Sequence, residues 1–330
     1  LLNEVLGLEI GKPPSDSTFR YLFLQLDVEA FEALLLQWMS QQPALVDGVD
    51  SLVCDGKTLR GSIDQKPGAA ATFIAQVSLY SQPLGVAIAQ TTYATDESSE
   101  TAALQRLLSG IELSDVLVQA DALHGNRPFF SSLRSRAPTS CSRQASAERY
   151  AIKGTRRKAF QLIRDRLTYG KRVPFQASAS ERGHGRESTW TLRAVEAPTT
   201  IKEIWPGGAL IISVRSAGTR EGRAINETRY YVTSLRTTAN ALLQHVRDRW
   251  SIENSWHWVR DTQLREDAHR YRERNGVQVL AGLRTVALNL LRLNGFRSIA
   301  DALGVVSHNV ELMLRLMSRH RQEGPQPASA

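Results

Sequence analysis

The chain has 330 residues, 42% hydrophobic and 22% charged, which is the balance of a folded protein and excludes wholesale disorder. Its 41 Lys and Arg outnumber 33 Asp and Glu, giving a net charge of +8 that favours polyanionic partners. Two cysteines exclude a disulfide scaffold and a Cys-rich zinc module. No uncharged apolar run reaches the roughly 18 residues of a membrane helix, and no signal-peptide pattern is visible.

In chain order, residues 14–43 read as helical. Asp27 is placed to cap a helix that carries Phe31, Leu34, Leu35 and Trp38 on one face. Ser51-Leu-Val-Cys-Asp55 reads as a short strand ending in an acid and followed by Gly56. Residues 72–80 and 84–93 are β-rich around Ser81, Gln82 and Pro83, a hairpin pattern. Residues 98–110 follow the helix period. Val116 to Asp121 is a second buried-strand run that also ends in an acid. The order predicts a mixed α/β sheet with chemistry at its strand ends.

Residues 131–158 break the pattern, with six Ser and eight Lys or Arg against one acid, Glu148, a composition poorly suited to a core. Strand-like runs return within 171–235, at 189–194, 209–214 and 229–233, and read as an all-β insertion. The chain is helical again from about Thr238, and residues 319–330 read as a frayed tail. A helix-Gly-helix pattern at 296–318, turning at Gly304, is a candidate helix-turn-helix.

Several familiar sites are absent. Gly56-Lys57-Thr58 lacks the glycine a phosphate loop requires at position 51, and there is no G-x-G-x-x-G, H-E-x-x-H or G-x-S-x-G. His257 and Asp261, four apart, read as a surface pair before a metal site. Three acids remain: Asp55, Asp121 and Glu253. In the segment 242–260, Leu242, Val246, Trp250 and Trp256 recur at helical spacing as an apolar face. Arg249, Glu253, His257 and Arg260 form a polar face with the acid in its middle. That polar face reads either as a solvated helix with an Arg249–Glu253 ion pair or as part of a site. If the three acids converge, their oxygens suit Mg²⁺ or Mn²⁺, the metals of phosphoryl transfer. Lys57, Arg60, Arg249 and Arg260, beside the acids, are then the candidate DNA-phosphate contacts.

Cys54-Asp-Gly-Lys-Thr-Leu-Arg-Gly-Ser62, Ala120-Asp-Ala-Leu-His124 and Trp250-Ser-Ile-Glu-Asn-Ser-Trp-His-Trp258, continuing through Arg265-Glu-Asp267, resemble the three acid motifs of bacterial insertion-sequence DDE transposases of the H-repeat-associated group. The wider superfamily has Tyr, two residues, Arg, three residues, Glu, six residues, Lys. Here those positions hold Val246, Arg249, Glu253 and Arg260. The resemblance spans roughly residues 13–130 and 160–295. It implies an α/β, RNase H-like mixed sheet over 46–318, a β-rich insertion at about 171–235 between the second and third acids, and a short helical N-terminal region, 1–45. It implies Asp55, Asp121 and Glu253 as a catalytic, metal-binding triad using Mg²⁺ or Mn²⁺. It also implies strand cleavage at element ends followed by strand transfer, with terminal inverted repeats and target DNA as partners. A homo-oligomer and a cytoplasmic, nucleoid-associated location go with that activity. Two further readings keep the fold: a catalytically inactive DNA-binding protein, and an RNase H-like nuclease. The departure at 131–158 is read as local reading-frame drift, restored around 158–162, which would compromise a core strand, misplace Asp121 and leave a decayed copy.

Overall fold

The computed structural model describes residues 3, 9–46, 51–65, 67–68, 70–111, 116–120, 148–152, 157–170, 172–183, 186–220 and 222–318. The chain divides into two compact units that do not follow its linear order: 1–49, 56–107 and 253–330 form one, and 50–55 with 108–252 the other.

The first unit begins with helices α1 (Asp16–Gln25), α2 (Val28–Ser40) and the short α3 (Pro43–Val46). Ser15 and Asp27 cap α1 and α2 by accepting from the amides of Thr18 and Ala30, so the predicted cap at Asp27 is present. The predicted hairpin is β2 (Ile74–Ser81) and β3 (Val86–Ala94), antiparallel and buried along both strands, including the polar Gln76, Ser78, Gln90, Thr91 and Thr92. Helix α9 (Arg274–Leu293) packs on this hairpin and on α1 and α2. Its core-facing Val277 and Ala281 cluster with Leu59, Ile74 and Ala94. Asn289 crosses the same contact, accepting from the amide of Ala87 (3.1 Å) and donating to its carbonyl (2.7 Å).

The second unit carries a mixed sheet. β1 (Ser51–Thr58), whose first five residues belong to this unit, runs parallel to β4 (Leu117–Ala120), and β4 runs parallel to β5 (Glu148–Ile152). β5 pairs antiparallel with β9 (Arg223–Thr233). The sheet then continues as an antiparallel meander through β8 (Leu210–Arg220), β7 (Arg186–Glu196) and β6 (Phe175–Gly183). Helix α5 (Arg157–Tyr169) contacts β7, β8 and β9. Helix α7 (Ala239–Asp248) contacts β6 and β7 and buries Leu242, Leu243 and Val246 on Leu192, Ile212, Val214 and Tyr231. Helix α4 (Glu100–Ser109) precedes β4, and α6 (Thr199–Ile204) joins β7 to β8.

Four readings change. The stretch 131–158, taken as unsuited to a core, supplies β5, a strand hydrogen-bonded on both sides. A ladder is built from backbone groups, so a polar composition does not forbid it. Residues 131–147 and 153–156, with most of the frame-drift reading, lie outside the described residues, as does the tail 319–330. Strand β1 does not stop at Asp55 but continues to Thr58. In the candidate helix-turn-helix, α10 (Ile299–Ser307) runs through Gly304. The break falls instead at His308 and Asn309, where the Asn309 side chain accepts from the amide of Leu312 just inside α11 (Val310–Ser318).

The fourth concerns the third motif. The segment 242–260 is not one continuous α-helix. Helix α7 ends at Asp248, a turn follows, and Ile252–His257 is π-helical before α8 (Trp258–Thr262). A wider turn shifts the phase of every later side chain. Trp250, predicted on the apolar face, lies instead in the turn after α7 and is 42% exposed, with the Arg229 guanidinium stacked 4.4 Å from its ring centre, while Trp256 on the π-turn is fully buried.

Candidate active site

Asp55 follows Cys54, which is buried in β1. Burial, reinforced by the Asp55 charge and only partly opposed by Arg249, pushes the Cys54 thiol far up, so it stays protonated and offers no nucleophile. The Asp55 side chain is 16% exposed. Its Oδ1 lies 3.5 Å from Nη2 of Arg249, the C-cap of α7. The distance marks an ion pair without a tight hydrogen bond. The sequence reads Arg249 beside Glu253, as its ion-pair partner or as a phosphate contact, and did not anticipate this pairing with Asp55.

The parallel register of β1 and β4 sets Ser51, Leu52 and Val53 against Leu117, Val118 and Gln119. Asp55 and Asp121 each follow the last registered pair by two residues. Asp121 itself lies outside the described residues, and β4 is described to Ala120. Glu253 is exposed on the π-helical turn, whose neighbours Ile252 and Trp256 are buried. In the first unit, the Tyr80 ring sits 5.8 Å from that of Trp256 and fixes the turn from inside. Asp55 and Glu253 belong to different units.

The other proposed phosphate contacts behave differently. Lys57 is 8% exposed, and its Nζ lies 2.6 Å from Asp261 Oδ1, 3.1 Å from Asp267 Oδ1 and 3.9 Å from Glu266 Oε2. Arg60 is 75% exposed and reaches Asp267 Oδ2 at 3.4 Å, so it remains accessible. Arg260 has no exposed surface. Its Nε and Nη2 donate to Glu266 Oε2 (2.9 Å) and Oε1 (2.6 Å), Nη1 to Thr285 Oγ1 (2.5 Å), and Nη2 also to Gln76 Oε1 (2.9 Å) and the Ala281 carbonyl (3.0 Å). A guanidinium enclosed by five acceptors cannot reach a phosphate, so the reading of Arg260 as a DNA contact is corrected. The phase shift of the π-turn places it in the interior instead of on a solvated face. Asp261, paired with Lys57, is likewise not half of a His257 metal site.

Asp261, Glu266 and Asp267 are named in the sequence reading, but their partners Lys57, Arg60 and Arg260 are what it missed. Burial pushes the Glu266 carboxyl up, but the Arg260 charge and its hydrogen bonds, then Lys57 and Arg284, outweigh it and hold the group below the ordinary glutamate value. These residues tie the motif that follows Asp55 to the segment that follows Glu253. Gly61 completes the contact, since a Cβ there would collide with the backbone oxygen of His269. The only signal in the sequence was the Glu-Asp pair at 266–267, which carried no hint of partners some 200 residues away.

Among the described residues, no group of three His, Cys, Asp or Glu side chains is arranged as a metal site. Taken each by itself, the Asp55 and Glu253 carboxylates are hard oxygen donors of the kind that Mg²⁺ or Mn²⁺ takes in preference to a softer metal.

The family described as transposase DDE domain matches residues 41–290. The candidate transposase YncI of Escherichia coli O157:H7 is 28% identical over 289 residues, covering 84% of this chain and 71% of that protein. The H repeat-associated candidate transposase YhhI of Escherichia coli K12 is 26% identical over 301 residues, covering 88% of this chain and 76% of that protein. Among solved structures, the piggyBac transposase synaptic complex with hairpin DNA aligns at a TM-score of 0.42 and 9% identity, over 96% of this chain and 66% of that one.

Proposed function

The chain belongs to the transposase DDE domain family, and on that premise we propose that it cleaves DNA strands at the ends of an insertion sequence and joins the freed 3′ ends to target DNA. The observation that carries this reading is the β1–β4 register. Asp55, within β1, and Asp121, next in sequence after β4, each stand two positions beyond Val53 and Gln119, the last registered pair of these neighbouring parallel strands, toward the carboxyl ends where open α/β sheets carry their chemistry. An RNase H-like arrangement is the reading of this mixed sheet.

In the proposed site, Asp55, Asp121 and Glu253 hold the divalent cation. When bound, Mg²⁺ supplies charge neutralisation at the attacking and leaving oxygens of the phosphodiester. The chain's own contribution is positional. Arg249 stands beside Asp55 and carries a positive charge toward the backbone phosphates that flank the scissile bond. The ladder of β1 restrains the Asp55 backbone, and the buried Ile252 and Trp256 restrain that of Glu253. Terminal inverted repeats and target DNA are the proposed partners. Holding two element ends together calls for more than one copy of the chain. The nucleoid is the compartment this activity needs.

The test is a nicking and joining assay on labelled element-end duplexes, with Mg²⁺ and with chelator. Asp55→Asn, Asp121→Asn and Glu253→Gln are each expected to abolish nicking and to retain DNA binding, because each removes a metal ligand and leaves the basic surface intact. A parent that binds DNA in a salt-sensitive way yet never nicks it is a DNA-binding protein. One that nicks without joining is a nuclease. A Glu253→Gln variant as active as its parent removes Glu253 from the site.

A further inference from the structure

The segment 260–274 sorts its charges by exposure and pairing. It carries four acids, and each is committed to the interior of the first unit or to its helix end. Asp261 and Asp267 hold Lys57, Glu266 holds Arg260, and Glu273 caps α9 by accepting from the amides of Asn275 and Gly276. Two of its five arginines are also committed, Arg260 to Glu266 and Arg274 to Asp96 (2.5 Å) and Glu97 (3.0 Å). Arg265, Arg270 and Arg272 are exposed, and none has an acid partner within hydrogen-bonding reach among the described residues. Arg272 lines a cleft of about 240 Å³ with Ser62, Asp64 and Thr72. A segment with only one more arginine than acids therefore presents three guanidinium groups to solvent without an acid partner among the described residues.

The backbone adds a second observation. Arg265 has φ 49°, the one non-glycine residue with positive φ among the described residues. The left-handed region strains a residue with a Cβ, and glycine or asparagine would occupy it more cheaply. The turn itself is needed, because it brings the amide of Glu266 back to the carbonyl of Arg260 (3.1 Å) and sets Glu266 against Arg260. The arginine side chain is not needed for that turn. Its presence at a strained position points to a demand on the guanidinium.

We propose that Arg265, Arg270 and Arg272 form a strip that binds the phosphate backbone of duplex DNA, adding to the accessible Arg60, which is tied to the same segment through Asp267. Guanidinium groups without an acid partner among the described residues are matched by phosphates, and binding releases the counterions that the duplex had condensed. The segment is held from behind by Lys57 and Arg260, so the strip is presented on a fixed backbone. The inference rests on the reading of the chain as a DNA-processing protein, but it concerns binding alone.

The test is binding of the full chain to a fluorescent duplex of about 30 base pairs and arbitrary sequence across a salt series, beside thermal melting. Each backbone contact contributes about 0.9 to the slope of log affinity against log salt. Arg265→Gly is expected to lower that slope by about 1 and to leave the melting temperature unchanged, because glycine accepts the turn. The triple variant Arg265→Gly, Arg270→Gln, Arg272→Gln is expected to lower it by about 2–3 and to weaken binding at least tenfold in moderate salt. A triple variant with the parent's slope and affinity overturns the strip. So does a loss of binding that appears only together with a fall in melting temperature, which marks a structural role. The slopes decide this whether or not the parent nicks DNA, and nicking decides the catalytic reading separately. A parent that binds no duplex even at low salt overturns both.

Discussion

Between Asp55 and Arg249 the ion pair spans 3.5 Å, and both groups keep some access to solvent. Around Arg260 and Lys57, the same residue types are interlocked. Arg260 donates to five acceptors with no exposed surface, and Lys57 lies within 3.9 Å of three carboxylates. Both clusters lie next to an acid motif, and both read in the sequence as cations beside acids. The difference is one of satisfaction. A charge whose partners are complete serves the fold, and a charge whose partner is distant and partly wet is free to exchange it for a ligand. Adjacency to a catalytic motif therefore says little about whether a cation meets DNA. Burial and partner count decide it.

Arg260→Met is the harshest way to break this contrast. It leaves Glu266 buried without its partner, a change that costs about 3–5 kcal/mol, and it should lower the melting temperature by many degrees in a calorimetric scan. Arg260→Lys should not rescue it, because one ammonium cannot replace a fork that serves five acceptors. A Met variant that melts with its parent would show that the pair contributes nothing to stability.

Gly61→Ala comes next. The added methyl meets the His269 carbonyl, a backbone atom that cannot swing away, so about 1–3 kcal/mol of destabilisation is expected by denaturant unfolding. No change in the midpoint would mean that the 265–271 segment moves freely from the first motif.

Arg249→Met sharpens the other side. Loss of a loose, partly solvated pair should change stability by less than about 1 kcal/mol, while Mg²⁺-dependent nicking falls sharply. A large stability loss with unchanged nicking would reverse the assignment of the two clusters.

The smallest effects are in the pH dependence of stability. Glu266 is held below the ordinary 4.5 of an unfolded glutamate. Its contribution is complete above about pH 4.5 and is lost as pH falls through the lowered folded value. Glu32 behaves oppositely. Burial raises its carboxyl against the hydrogen bonds from Thr92 and Thr91 and the charge of Arg106, so the folded state binds its proton more tightly. Stability should therefore decline as pH rises from about 4.5 through the raised value. Unfolding midpoints for Glu266→Gln and Glu32→Gln across pH 3–8 should lack, respectively, the acid-side loss and the decline above 4.5. Profiles parallel to the parent's would discard these linkages.

The periodic and local features were legible from the residues. The Asp27 cap, the hairpin of β2 and β3, the strand before Asp121 and the strands of the insertion follow from apolar alternation, turn formers and side-chain capping, all of which act over a few residues. Family membership was legible in the acid motifs, because chemistry restricts residue type at fixed spacing. The fate of individual charges was not. Arg260 reads as a phosphate contact flanking Glu253, but a π-helical turn, invisible to a 3.6-residue period, rotates it into the core. Strand β5 was hidden because its place comes from backbone pairing to β4 and β9 and not from its own composition. The sequence by itself determined which elements form and which chemistry the acids belong to. Only the tertiary structure decided which cations are spent on Asp261, Glu266 and Asp267 and which remain for a ligand, because neutralisation depends on partners that the chain brings together from about 200 positions away.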